Sequence, residues 1–366
     1  MVRLALITDQ NIYGGGESNL FYLAKEFSNC RNLGVEVEVF TPDEHLHDLL
    51  RKENIKTHLF SKFWMRSWIK GFPIPFYSPK ILRFLKHFDL VHAYSVTALP
   101  LLFYLRRPLV WTSHGFWERP YGLRGKFINF FTNHIIGISQ EAMNKFSFPL
   151  EKTSYIPNGI VIDNRSLKPF PILTQHNHLT ISCIGRMQHI KGQDVLLESL
   201  PIVLQNFPDK NITVNFIGGA NPVNRNDKIY FNKVVEKGRE LNKQHKRLNI
   251  QFHAFQEDIV PFIDASDLIV SPSRYESFGM VPLEALSRGR PVVVPDIGGP
   301  KEIFVSKSYS ERFVPNSSIS LAQAMCKWLN ALDTFDLEKA LSRAHQFSVK
   351  KQAEALAIVY KKIRRE

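Results

Sequence analysis

The sequence predicts two α/β domains, each doubly wound around a parallel sheet. The chain has 366 residues, a length that suits two ordinary domains better than one. Apolar segments of strand length alternate with helical patterns, which is typical of βαβ units. A polar stretch, residues 163–178, interrupts this alternation and is the best candidate linker. We therefore expect a first domain over residues 1–165 and a second over residues 166–349.

Segments with the pattern of buried strands occur on both sides of this stretch. They are residues 3–8, 35–40, 90–95, 108–113, 134–139, 179–184, 213–218, 249–255, 267–272 and 290–295. The end of the chain, residues 347–366, places apolar or small side chains at helical spacing and finishes with basic ones, which suits a helix C-terminus. We expect this segment to form a closing helix.

Composition and charge limit the class of protein. With 44% hydrophobic and 22% charged residues, the chain is not fibrous, collagen-like or disordered. Its formal net charge of +13 indicates an acidic partner, which could be nucleic acid, an anionic membrane or a phosphorylated substrate. Three scattered cysteines suit neither a disulfide framework nor a zinc site, so we expect a reducing, cytoplasmic location. Membrane contact should be peripheral, because no apolar stretch reaches roughly 18 residues.

Two glutamates, Glu276 and Glu284, are the strongest site candidates. They follow an apolar segment and lie eight residues apart. Between them, residues 277–280 should open a short helix that ends at Gly289. The free N–H groups of such a loop can bind an anion or sugar hydroxyls, and carboxylates accept well from vicinal hydroxyls. An isolated pair of this kind would more often be surface carboxylates.

A second candidate lies at residues 185–192. Gly185 and Arg186 follow an apolar strand, and Lys191 comes five residues after Arg186. Arginine binds phosphate bidentately and lysine acts as a point charge, so together they suit a diphosphate and would stabilise a leaving group. A solvated basic turn explains the same residues about as well.

The first half holds weaker signals. Gly14, Gly15 and Gly16 follow the first strand and permit close approach of the backbone to a phosphate or sugar, but without the spacing of a dinucleotide fingerprint. His114 lies just past a strand end, where open α/β sheets place ligand contacts, although a lone histidine is more often structural. The pair 158–159 (Asn158 and Gly159) is a turn signal in any protein.

Residues 56–86 interleave basic and aromatic side chains and contain no acidic residue. Trp64, Arg66, Trp68 and Lys70 represent this pattern. It suits a membrane or acceptor contact in which cations meet anionic headgroups and rings lie at the acyl boundary. Nucleic acid could use the same chemistry, and core aromatics beside solvated lysines would produce the same pattern without a partner.

The pattern PS-x-x-E-x-FG-x4-EA-x3-G-x-PVV begins at Pro272, and GG-x-x-EI begins at Gly298. With G-R-x4-KG at residues 185–192, these motifs resemble the group 1 family (family 4) of retaining glycosyltransferases, which have the GT-B fold. The resemblance implies two Rossmann-like domains with a deep interdomain cleft, the donor held mainly by the second domain and the acceptor by the first. It also implies that a C-terminal helix, about residues 350–366, crosses back to the first domain.

The resemblance further implies roles for residues. Glu276 would hold the transferred sugar and Glu284 the donor's ribose. Arg186 and Lys191 would stabilise the leaving diphosphate, and His114 would orient the sugar or acceptor. The predicted catalytic residues are thus Glu276, Lys191, Arg186 and His114. The predicted donor-binding residues are Gly15, Gly16, Gly185, Arg186, Lys191, Ser277, Phe278, Gly279, Met280 and Glu284, and the predicted cleft positions are Asn158 and Gly159.

The activity implied is transfer of a hexose-type sugar, with retention, from a nucleotide-sugar to a glycan, lipid-linked or lipopolysaccharide-type acceptor. UDP is favoured over GDP. No cofactor and no divalent metal are expected, because Arg186 and Lys191 would replace the ion. We expect contact with an anionic membrane at its cytoplasmic face and none with nucleic acid. The alternatives are an epimerase or sugar phosphorylase on the same fold, or a non-enzymatic membrane or nucleic-acid binder.

Overall fold

The computed structural model describes residues 1–61, 68–69, 72–73, 79–96, 105, 107–115, 122–144, 148–163, 165–167, 177–221 and 223–365. The chain divides into two compact units. Unit 1 comprises Met1–Val161 and Phe347–Glu366, and unit 2 comprises Ile162–Gln346. Most of the predicted linker, residues 164 and 168–176, lies outside the described residues.

Unit 1 is built on a parallel sheet. Its strands are β1 Val2–Ile7, β2 Val35–Thr41, β3 Thr57–Leu59, β6 Leu90–Ala93, β7 Leu109–Ser113, β8 His134–Gly137 and β9 Thr153–Tyr155, in the order β3-β2-β1-β6-β7-β8-β9. Two short strands, β4 Trp68–Ile69 and β5 Phe72–Pro73, form a separate antiparallel pair. The helices are α1 Gly15–Asn29, α2 Glu44–Lys52, α3 Pro79–Leu85, α4 Gly122–Phe131, α5 Gln140–Asn144 and α13 Val349–Arg365.

Apolar cores cover both faces of this sheet. Along β1, Leu4 and Leu6 point into one core and Ala5 and Ile7 into the other, as the alternation of side chains in a strand requires. This burial on both faces explains why the strands read as nearly continuous apolar runs. The C-terminal helix α13 contributes to the first core with residues that include Ala353 and Tyr360. The predicted closing helix is therefore confirmed, and it belongs to unit 1.

Unit 2 repeats the architecture. Its strands are β10 His178–Ile184, β11 Asn211–Ile217, β12 Leu248–His253, β13 Leu268–Val270, β14 Val292–Pro295 and β15 Ser310–Phe313, in the order β12-β11-β10-β13-β14-β15. Its helices are α6 Gln193–Asn206, α7 Arg225–Gln244, α8 Val260–Asp264, α9 Met280–Ser287, α10 Gly299–Ile303, α11 Ser318–Leu329 and α12 Leu337–Gln346. All neighbouring strands of this sheet are parallel.

Each parallel sheet reverses its strand order once, between β1 and β6 in unit 1 and between β10 and β13 in unit 2. Open α/β sheets bind ligands at such switch points, outside the carboxyl ends of the strands. The predicted fold class, two doubly wound α/β domains, is confirmed.

Helix α9 begins only at Met280, so Glu276 precedes the helix and Glu284 alone lies on it. No helix within the described ranges is long and apolar enough to cross a membrane.

Candidate active site

Two loops meet at the switch point of unit 2. One follows β10 and runs over residues 185–192, and the other follows β13 and runs over residues 271–279. The backbone N–H of Arg274 donates to the carbonyl of Ile190 at 2.8 Å. At Gly192, φ is +67°, and a Cβ atom would lie 2.1 Å from the carbonyl oxygen of Pro272. Glycine is therefore required at this contact, which sets the two loops side by side.

The two loops bring Lys191 and Glu276 together. Lys191 ends a short 3-10 helix, His189–Lys191, and its Nζ lies 2.6 Å from Oε2 of Glu276. The Ser273 hydroxyl also donates to this oxygen, at 3.3 Å. Two of the residues that the sequence analysis proposed from separate motifs thus form one ion pair, although they are 85 positions apart in the chain.

Arg186 and Gly185 lie at the start of the same loop. The Arg186 side chain is exposed, while its backbone carbonyl accepts a hydrogen bond from Gln193 Nε2 at 2.9 Å. Gly185 has a φ of +153° and no atom within 4 Å of the position that a Cβ would take. A guanidinium and an open backbone at the carboxyl end of a central strand can reach an anionic ligand.

The loop that opens α9 holds the next group of predicted residues. Gly279 precedes the helix in a left-handed conformation with φ of +97°. Ser277 and Phe278 are buried, and the Ser277 hydroxyl has no hydrogen-bond partner among the described residues. Gly299 is hydrogen-bonded to this loop, because its N–H donates to Ser277 O at 3.1 Å. A buried hydroxyl without a partner is costly, so this loop suits a ligand that supplies one.

Glu284 lies in the second turn of α9, next to buried residues on either side. Its side chain is only partly exposed, and burial raises the pKa of its carboxyl from 4.5 to about 7. The motif predicts an ionised carboxylate at this position. Burial instead makes the charge of Glu284 change near neutral pH, a property that the sequence pattern does not reveal.

In unit 1, the predicted glycines begin a helix. Gly15 is the first residue of α1, and Gly14 precedes it in an extended conformation. At Gly16, nothing lies within 4 Å of the position of a Cβ atom. The helix follows β1 at the switch point of the sheet, so its N-terminus lies at the edge where ligands bind in this fold class.

His114 follows β7, and its ring centroid lies 5.4 Å from that of Tyr94, which follows β6. Burial lowers the pKa of His114 to about 4, so the imidazole is neutral near pH 7 and can exchange hydrogen bonds with a ligand as a neutral group. Sequence reasoning missed Tyr94, whose hydroxyl is buried without a hydrogen-bond partner among the described residues. Its position directly after an apolar strand was the available signal.

Asn158 and Gly159 lie in unit 1 and are buried. The N–H of Gly159 donates to Gln352 Oε1 at 2.9 Å, and its carbonyl accepts from Asn19 Nδ2 at 2.9 Å. A Cβ at Gly159 would lie 2.3 Å from the Cα of Val349. Gly159 is therefore fixed by packing, while Asn158 Oδ1 is buried without a partner in the described part of the chain.

The predicted membrane contact falls largely outside the described residues. Trp64, Arg66 and Lys70 lie outside the described residues, and of Trp68 only the backbone, in β4, is described. Within the described ranges, no group of three His, Cys, Asp or Glu side chains is placed to hold a metal ion.

Models of known protein families match both halves of the chain. Residues 13–164 match the model described as Glycosyltransferase Family 4, and residues 178–331 match the model described as Glycosyl transferases group 1. The chain is 32% identical over 119 residues to the D-inositol 3-phosphate glycosyltransferase of Corynebacterium aurimucosum, a match that covers 32% of this chain and 27% of that protein. It therefore spans about a quarter of the length of this relative.

A second relative and a solved structure extend the comparison. The chain is 26% identical over 190 residues to the lipopolysaccharide core biosynthesis mannosyltransferase LpsB of Rhizobium meliloti, covering 50% of this chain and 52% of that one. Its fold is similar to the crystal structure of HepE from Anabaena in complex with UDP and glucose, with a TM-score of 0.79, 21% identity and coverage of 99% of this chain and 100% of that chain.

Proposed function

The chain belongs to the group 1 (family 4) glycosyltransferases, and from that premise we propose that it transfers a hexose from a UDP-sugar to a glycan or lipid-linked acceptor with retention of configuration. The observation that supports this most is the Lys191–Glu276 pair, at 2.6 Å, beside the Ser277–Met280 loop. A cation, a carboxylate and the N-terminus of α9 at one switch point suit a diphosphate joined to a sugar.

In the proposed reaction, Arg186 and Lys191 bind the diphosphate of the donor. The bond between the anomeric carbon and the phosphate oxygen breaks, and negative charge develops on that oxygen next to the two cations. The acceptor hydroxyl attacks from the face that the phosphate leaves, and its proton passes to the departing phosphate. His114, neutral because of its low pKa, would orient the sugar or acceptor by hydrogen bonds.

The proposal of a UDP-linked hexose and of a glycan or lipid-linked acceptor takes support from similar proteins. HepE was solved with UDP and glucose, and LpsB is named as a mannosyltransferase of the lipopolysaccharide core.

The charge distribution favours an anionic membrane near the acceptor. Unit 1 has 25 Lys and Arg residues against 15 Asp and Glu, whereas unit 2 has 22 against 19. We propose a cytoplasmic location at the membrane surface, which the three free cysteines suit.

The proposed function can be tested with a panel of UDP- and GDP-sugars. A donor present at 100 times its dissociation constant should stabilise the protein by about 2.7 kcal/mol, visible as a rise in Tm. The same donor should then support transfer that continues in excess EDTA, since the two cations replace a metal, and the product should have the anomeric configuration of the donor by NMR.

Lys191→Ala serves as the control, because it should show a smaller stabilisation by the donor and lose the transfer. Net epimerisation of the sugar without transfer would favour the alternative enzyme class on this fold. The absence of a Tm rise with every nucleotide and nucleotide-sugar would contradict the proposal altogether.

A further inference from the structure

We propose that Arg274 and Asp194 are positioning residues that hold the loop of Lys191 against the loop of Glu276 and thereby set the affinity for the donor diphosphate. This inference rests on the proposed function. Neither residue was singled out by its motif. Both lie in unit 2, Asp194 in the first turn of α6 and Arg274 two positions before Glu276.

The two side chains form a bidentate ion pair. Arg274 Nη1 donates to Asp194 Oδ1 at 2.8 Å, and Nη2 donates to Oδ2 at 2.7 Å. The hydroxyl of Tyr230 donates to Oδ1 as well, at 2.7 Å. Although burial opposes it, hydrogen bonds from Arg274 and Tyr230 keep the pKa of the Asp194 carboxyl below its usual value. A planar fork that meets a carboxylate at two points fixes orientation as well as distance.

Further hydrogen bonds from Arg274 connect the pair to its surroundings. Nη1 also donates to the carbonyl of His189 at 2.7 Å, and Nε donates to Asn316 Oδ1 at 2.7 Å. The backbone N–H of Arg274 donates to Ile190 O. Arg274 therefore contacts both residues that precede Lys191, His189 through its side chain and Ile190 through its backbone. Its side chain thus adds to the backbone contacts that hold the two loops together.

The network also reaches Arg186. Gln193, next to Asp194 in α6, is buried and donates to the Arg186 carbonyl. The loops of Arg186, Lys191 and Glu276 are thus all connected to the Arg274–Asp194 pair. The polar groups of this pair are bonded within the protein. Lys191 has a long, flexible side chain, and a displacement of about 1 Å in a catalytic group can cost about 100-fold in rate. A rigid support for its backbone is therefore expected to matter.

A double-mutant experiment tests whether Arg274 acts through Lys191. UDP itself is the probe, because it carries the diphosphate but no sugar for Glu276 to hold. In the wild-type background, Arg274→Gln should weaken the Kd for UDP by about 10-fold or more, measured by calorimetry. In a Lys191→Ala background, the same substitution should change the Kd by less than about 2-fold, because residues that act through one contact are not additive.

Two further variants separate positioning from charge and from folding. Arg274→Lys retains the charge but not the fork, and it should not restore the affinity for UDP. Tyr230→Phe removes one hydrogen bond to Asp194 and should give a smaller loss in a protein that still folds. The matched control is Lys327→Gln, which breaks a surface ion pair with Glu311 in the same unit and should leave the Kd unchanged.

The outcomes distinguish this inference from the proposed function. If the wild-type protein binds no nucleotide, the proposed function fails, and this inference with it. If the wild-type protein binds UDP but Arg274→Gln binds it as tightly, only the positioning role fails. An equal loss in both backgrounds, full rescue by Arg274→Lys, or an unchanged Kd in Lys191→Ala would likewise overturn the positioning role.

Discussion

The ammonium group of Lys191 lies 2.6 Å from the carboxylate of Glu276, so each of these two residues neutralises the other in the ligand-free protein. Their side chains are 31% and 15% exposed, which leaves the pair within reach of a ligand but partly shielded from water. A diphosphate that binds Lys191 must therefore compete with Glu276 for the cation.

This competition predicts opposite effects for Glu276→Gln on binding and on transfer. Loss of the carboxylate frees Lys191, so the Kd for UDP should fall about 3-fold or more, which corresponds to about 0.7 kcal/mol. Transfer should fall sharply, because an amide accepts less strongly from the sugar hydroxyls. Calorimetry with UDP and initial rates with the sugar donor measure the two effects, and a weaker binding of UDP would contradict the competition.

Alanine substitutions should separate the site from the fold. Glu276→Ala, Lys191→Ala and Arg186→Ala should each lower kcat about 100-fold or more, because each removes a group that holds the sugar or stabilises charge on the leaving phosphate. The Tm of each variant should stay close to that of the wild type, and Lys327→Ala provides a control outside the site. Unchanged turnover in any of the three would remove that residue from the site.

Glu284 predicts a pH dependence with a defined sign. Burial raises its pKa from 4.5 to about 7, so the carboxylate that would accept from the ribose forms mainly above pH 7. The affinity for UDP should therefore increase between pH 6 and pH 8. In Glu284→Gln this increase should be lost, whereas a retained pH profile would assign it to another group.

The raised pKa of Glu284 also makes the stability of the protein depend on pH. Because the folded protein holds the Glu284 proton more tightly than the unfolded chain does, Glu284 contributes to the free energy of unfolding. This contribution is complete below pH 4.5 and is lost as the pH rises through about 7. Glu284→Gln should therefore raise the unfolding free energy at pH 8 by roughly 1–2 kcal/mol, allowing for partial exposure, and have little effect at pH 5. Denaturant titrations at the two pH values measure this, and destabilisation at pH 8 would contradict the burial of the charge.

Two glycines of unit 1 should respond differently to a methyl group. At Gly16 a Cβ meets nothing within 4 Å, so Gly16→Ala should keep or raise the Tm, since alanine favours a helix. The same substitution should lower transfer, because the added methyl group would occupy space proposed for the ligand beside α1. At Gly159 a Cβ would lie 2.3 Å from Val349 Cα, so Gly159→Ala should lower the unfolding free energy by about 2 kcal/mol or more. Full transfer in Gly16→Ala would argue against ligand contact there.

Co-sedimentation with lipid vesicles tests the proposed membrane contact. The protein should bind vesicles with anionic lipid and not vesicles of phosphatidylcholine alone. Because each surface cation contributes about 1 kcal/mol, the double variant of Arg66→Ala and Lys70→Ala should bind about 30-fold more weakly. A matched loss of two charges in unit 2, Lys237→Ala with Lys243→Ala, should have no comparable effect, and equal weakening by both would contradict a specific surface.

Most strands of the two parallel sheets were predictable, because short apolar runs such as those of β10 and β14 are typical of strands that a parallel sheet buries on both faces. Strand β15 was not predicted, since Ser310–Phe313 contains two charged residues and lies at the sheet edge, where fewer side chains are buried. Strands β3 and β9, at the two edges of the unit 1 sheet, were not predicted, and neither was the separate two-stranded sheet of β4 and β5.

The site was predictable at the level of motifs but not of contacts. Glu276 and Lys191 were both proposed from local patterns, yet their pairing depends on β10 and β13 being neighbours. Arg274 and Asp194 are 80 positions apart and gave no local signal. The raised pKa of Glu284 likewise follows from burial in the folded chain, which a local pattern does not encode.

The packing of α13 has a consequence for the synthesis of the protein. Unit 2 is one continuous stretch of chain, whereas unit 1 is completed by residues 347–366, and the apolar side of α13 fills part of its core. During translation, unit 2 can fold as soon as it leaves the ribosome. We expect unit 1, although synthesised first, to keep part of its core open until α13 emerges, so it should be the half of the nascent chain that needs protection from aggregation.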